Sequence, residues 1–165
     1  MTGPVSRGGV ALLSAAVVLQ FLMEVTLGRM FVAPNILALT LVYLMLNRGT
    51  RWSIDGAFWS GLCLDLLMHQ PPGASSFALM CGLYVSRRIA GASAGENRMV
   101  LLVLTAISTL VSDSVFILVV SRFRGWAAGV SLLAVFPRLL LTLLAGLMAV
   151  TAGTVAGSIR RESSA

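Results

Sequence analysis

Residues 99–121 hold a single ionisable side chain, Asp113, in an otherwise apolar and hydroxyl-bearing run. A helix of that length rises about 35 Å, enough to cross a ~30 Å hydrocarbon layer. Further apolar runs occupy 10–28, 31–46, 54–69, 73–86 and 127–158. Short polar breaks divide them: Gly28-Arg29, Asn47-Arg48-Gly49-Thr50-Arg51, His69-Gln70-Pro71-Pro72-Gly73, Arg87 to Arg98, and Ser121 to Trp126. A backbone in lipid has no water to bond, so only helices and closed barrels cross it. The pattern predicts an all-α, polytopic membrane protein. It forms one domain over 1–165, with six transmembrane helices near 10–28, 31–46, 54–69, 73–86, 99–121 and 138–157. The last run is too long for one crossing. Either 127–136 lies at the interface and Pro137 opens the span, or one long helix kinks there. Arg7 ahead of the first run imitates a signal peptide. No convincing small-residue cleavage site ends that run, so an uncleaved first helix is expected.

Composition narrows the function. Hydrophobic residues make up 58% and charged residues 11%, against roughly 45–50% and 25% in soluble domains. All 12 basic residues are arginine, which excludes a P-loop lysine, a Schiff-base lysine and a Ser-Lys dyad. The net charge of +6 would point to nucleic acid only if it formed a contiguous patch. The arginines are scattered, so the bilayer is the expected partner and nucleic acid is not. Cys63 and Cys81 fall in apolar runs without metal or disulfide spacing, and read as small buried hydrophobes.

Arginine placement sets the orientation. With the N-terminus in the cytoplasm, Arg7, Arg48, Arg51, Arg87, Arg88, Arg98, Arg160 and Arg161 fall inside. Only Arg29, Arg122 and Arg124 fall outside, and Arg138 lies in or near the last span. The expectation is a multi-pass membrane protein with both termini cytoplasmic. Trp52 and Trp126 then lie near opposite interfaces, where amphipathic rings are favoured.

Ionisable groups at membrane depth each cost about 2.5–3.5 kcal/mol near a helix centre, so they should face the bundle or a partner. On this topology Glu24, Asn35, Asp65, His69, Asp113 and Arg138 all collect in the outer half, which suggests one outward polar pocket. Periodicity agrees. Ala57, Gly61, Asp65 and His69 recur every four residues, and Thr105, Ser108, Thr109, Ser112 and Asp113 share one helix face. Arg138, Thr142, Ala145, Ala149, Gly153 and Gly157 form another stripe, in which small residues let backbones approach. The plain reading of these stripes is helix-packing seams, with Gly61, Ala145, Ala149, Gly153 and Gly157 in the contacts. Asp113 and Arg138 are the expected charged pair, unless Arg138 snorkels to the headgroups. Enzyme readings fare poorly. Asp113 follows Leu110-Val111-Ser112 rather than the glycine pattern of intramembrane aspartyl proteases, and His69 has no placed nucleophile. No catalytic, metal or cofactor site is expected.

Residues 33–88 carry a resemblance. Pro34-Asn35-Ile36-Leu37 opens a helix through Val42-Tyr43-Leu44 to Asn47-Arg48-Gly49. There follow Gly56-Ala57-Phe58-Trp59-Ser60-Gly61-Leu62-Cys63-Leu64-Asp65, then Pro72-Gly73, then Gly82-Leu83-Tyr84-Val85. This ordered set resembles the rod shape-determining membrane protein MreD family. It departs at Gly56 to Gly61, spaced by five, and at Asn35, where aspartate is common. The resemblance covers about a third of the chain. It implies a non-enzymatic scaffold of the bacterial elongation (rod) complex in the inner (plasma) membrane, supporting cell shape and lateral peptidoglycan synthesis. MreC would be its first partner, with MreB, RodA and its transpeptidase beyond. It also implies a fold akin to substrate-binding subunits of energy-coupling-factor transporters. The alternative function is such a vitamin-capturing subunit, to which the Ala11-x3-Ala15 pair bears a likeness.

Overall fold

The computed structural model describes residues 7–27, 33–48, 50–90, 98–124, 135–149 and 151. Among these the chain is all-helical: α1 (Arg7–Thr26), α2 (Ile36–Arg48), α3 (Thr50–Leu67), α4 (Ala74–Ala90), α5 (Arg98–Arg124) and α6 (Val135–Ala149). Pro137 lies two residues after the first described residue of α6, Val135. Residues 127–134, and Gly153 and Gly157, lie outside the described residues.

The six expected spans are not six equal crossings. Among the described residues two helices, over Gly8–Thr26 and Met99–Arg122, are long and apolar enough to cross a membrane. The others fall short for separate reasons. The 13 residues of α2 rise only about 20 Å. Within α3 lie Arg51, Asp55 and Asp65. Helix α4 mixes serines with Arg87 and Arg88, and the described stretch of α6, Val135–Ala149, is apolar but shorter than a span.

Neighbouring helices alternate in direction. Ser53 Oγ donates to Leu41 O across α2 and α3, and Ser76 Oγ donates to Phe58 O across α3 and α4. Ser86 Oγ donates to Leu104 O while Gly82 lies against Ser108 and Ser112, so α5 runs back along α4. Thr142 meets Asn35 and Gly146 lies against Leu39, which sets α6 parallel to α2. One end of the bundle therefore gathers the ends of α1, α3 and α5 and the starts of α2, α4 and α6. Exposed Arg51, Arg87 and Arg88 sit toward the other end.

The packing inverts the usual arrangement. Leu37, Ala38, Leu41, Val42, Leu83 and Leu104 form an apolar centre, but Thr105, Ser108, Thr109 and Ser112 are equally buried beside it. Large apolar side chains face outward; Met99, Leu118, Phe136 and Met148 are each about 70% exposed. Soluble monomers rarely present so much contiguous apolar surface, whereas small and hydroxyl-bearing helix contacts are the rule in lipid. Cys63 is likewise exposed and Cys81 half-buried, not buried as expected, because both sit on outward helix faces.

Glycine and aspartate fasten α3 to α4. A Cβ at Gly61 would lie 2.5 Å from the Ser76 Cα and amide nitrogen. One turn on, both carboxylate oxygens of fully buried Asp65 accept the Ser75 N–H, each at 3.1 Å. Ser75 is the second residue of α4, so Asp65 caps that helix from its neighbour and places negative charge at its positive end. Such a cap contributes about 0.5–2 kcal/mol. The turn between them needs two left-handed residues, His69 (φ 52°) and Gly73 (φ 88°). With Gln70 N–H donating to Asp65 O at 2.9 Å, α3 ends in the Schellman pattern, His69 standing where glycine is usual.

Candidate functional site

At the end where α1, α3 and α5 finish, residues of all six helices and of the segments before α2 and after α3 surround a cavity of about 100 Å³. Its charged wall is Glu24, Asp113 and Arg138. Arg138 Nη2 donates to Glu24 Oε1 at 2.6 Å, and its Nε stands 3.6 Å from Asp113 Oδ2. The first contact is a short charge-assisted bond. The second is an ion pair too long for a hydrogen bond. The pairing expected of Asp113 and Arg138 thus exists, but Glu24 holds the arginine more closely.

Amide groups tie this wall to the start of α2. Asn35 precedes the first helical residue, and its Oδ1 accepts the Ala38 N–H at 3.0 Å, the side-chain-to-N3 geometry of an N-cap. Its Nδ2 reaches Asp113 Oδ1 at 3.4 Å, and its backbone N–H donates to Thr142 Oγ1 at 2.8 Å. Pro34 therefore stands before the cap rather than inside the first turn. Gln20 accepts the Ile36 and Leu37 N–H groups at 2.8 and 3.4 Å while donating to Glu24 Oε1 at 3.0 Å. Three of the four orphan amides of α2 are thereby satisfied by side chains that also reach the charged cluster.

Two residues expected in the pocket are elsewhere. Asp65 does not line the cavity, because its carboxylate is committed to the α4 cap. His69 is exposed on the α3–α4 turn, and its left-handed backbone swings it off the stripe of Gly61 and Asp65. The α6 seam also differs. Thr142 and Gly146 are buried, Ala145 is half-buried and Ala149 exposed, since contacts recur at intervals of four along this helix.

Comparisons with family models, curated proteins and solved structures gave no match. The site is read from its own chemistry.

Gln20 and Gln70 line the cavity without having been expected there. Glutamine carries no charge to mark it, although Gln20 stands four residues before Glu24 and so shares its helix face. Buried Ser108, Thr109 and Ser112 do face the bundle as their spacing implies, and Gly82 of α4 admits Ser108 and Ser112 against its backbone. A second hollow of about 490 Å³ opens on the bundle's side between α1 and α3, with Trp52, Asp55 and Trp59 among its walls.

Proposed function

We propose that this chain is a six-helix integral membrane protein with both termini in the cytoplasm, serving as a non-enzymatic scaffold that binds MreC within the rod complex. The supporting observation is what the MreD-like residues do. Gly61 brings the α3 backbone against α4, Asp65 caps α4, Gly73 takes a conformation that side chains disfavour, and Asn35, standing where the family commonly has aspartate, caps α2. Each of these is an architectural role, as a scaffold requires. Lipid as solvent is supported by the outward apolar and inward hydroxyl groups. The shorter helices fit a bilayer that thins locally, at a fraction of a kcal/mol per Å.

The rival reading, a vitamin-capturing transporter subunit, draws on the exposure of Ala11 and Ala15 on α1. It asks for a cavity of roughly 300–1,000 Å³, and the polar cavity holds about 100 Å³. The two readings separate in one experiment. Tagged protein, co-expressed with an MreC homologue and isolated in mild detergent, is expected to retain MreC in a fixed ratio. Absence of MreC with recovery of transporter components would reverse the assignment.

A further inference from the structure

The cavity's wall leaves several polar atoms unsatisfied. Asp113 Oδ2, Gln70 Oε1 and Ser112 Oγ, the last beside Gly82 of α4, belong to residues lining the cavity, are buried and have no hydrogen-bond partner. Ser112 and Asp113 are only 2% and 6% exposed. Arg138 Nε is also without a hydrogen bond, 3.6 Å from the Asp113 oxygen. Leaving such groups unpaired costs about 1–3 kcal/mol each, so each calls for a partner.

Charge selects the kind of partner. Glu24 and Asp113 bring two negative charges and Arg138 one positive, so the ionised cluster is one positive charge short of neutrality. Arg138 is engaged through Nη2 with Glu24. An anion entering here would face two carboxylates. A cation would complete the balance.

Geometry selects the kind of cation. Among the described residues no group of three or more His, Cys, Asp or Glu gathers as a metal site. A primary ammonium has three N–H donors and no acceptor, which matches in number the three unfilled acceptors of residues around the cavity. A volume of about 100 Å³ suits a small head group. We propose that this cavity is a binding site for a primary ammonium group, held by Asp113, Ser112 and Gln70. The assignment does not depend on the scaffold reading. The group belongs either to a free amine or to an ethanolamine lipid head.

The test uses the full-length protein in detergent, with thermal unfolding and titration calorimetry as readouts. The probes are ethanolamine, choline and sodium, and, in nanodiscs, phosphatidylethanolamine against phosphatidylcholine. Choline carries the same charge without an N–H donor. Saturable stabilisation by ethanolamine, absent with choline, supports the site and assigns it to a free amine. The same discrimination confined to the lipid pair supports it and assigns a head group. Ser112→Ala and Gln70→Ala should each weaken binding about tenfold or more. Gln70→Ala keeps the backbone bond to Asp65, so it stands as the test if the serine variant misfolds. Equal stabilisation by choline or sodium, no response to either amine source, or undiminished binding in folded variants would overturn the proposal.

Discussion

Gly61→Ala should destabilise the protein by on the order of 3 kcal/mol or more, and Gly61→Leu should prevent folding. The added Cβ would meet the Ser76 Cα and amide nitrogen at 2.5 Å and the Ser75 carbonyl carbon at 2.9 Å. These are backbone atoms, so no side chain can rotate away and α3 must part from α4. Parting the helices stretches the Asp65 cap on Ser75 and the 2.8 Å bond from Ser76 Oγ to Phe58 O. Overpacking alone costs about 1–3 kcal/mol, and loss of the cap adds to it. Gly146→Ala provides the contrast. Its Cβ would meet the Leu102 and Leu39 side-chain tips at 3.0 and 3.4 Å, and such tips can yield. Thermal unfolding in detergent should show a large loss for Gly61→Ala and a small one for Gly146→Ala. Equal, small losses would mean that α3 and α4 are not so close.

Arg138→Met should cost about 3–5 kcal/mol, the range for removing one partner of a buried ion pair. Methionine keeps much of the volume but leaves Glu24 and Asp113 facing one cavity without their cation. The side chains of Arg138 and Glu24 are 23% and 20% exposed, so the lower part of that range is expected. The double variant Arg138→Met, Glu24→Gln should recover part of the loss, because one uncompensated charge goes with the arginine. Additive losses in that cycle would show that the two residues do not interact.

The helices were legible in the sequence because apolar runs and polar breaks carry their own signal. Their ends were less so. The α2 start is fixed by Asn35 and by Gln20, which reaches over from α1; a local reading credits Pro34 instead. Helix α3 begins before its apolar run, and α4 continues through Arg87 and Arg88, since basic residues suit a helix C-terminus. Depth arithmetic along alternating helices was enough to gather Glu24, Asn35, Asp113 and Arg138. It could not distinguish a carboxylate aimed into a cavity from one aimed at a neighbouring helix end, and so it placed Asp65 with the others. Nor could it foresee the left-handed turn at His69, where glycine is the usual residue. Gln20 and Gln70 escaped because a neutral amide in an apolar run or a turn carries no charge-based signal.

The alternating helices place Leu27, at the end of α1, and Arg88, in the last turn of α4, at opposite ends of the bundle. Both are exposed. In intact cells, with Cys63 and Cys81 replaced by alanine, a membrane-impermeant thiol reagent should label Leu27→Cys directly. Arg88→Cys should be labelled only after the inner membrane is permeabilised. Labelling of both from the same side would contradict a six-helix protein that spans the membrane with its polar cavity outward.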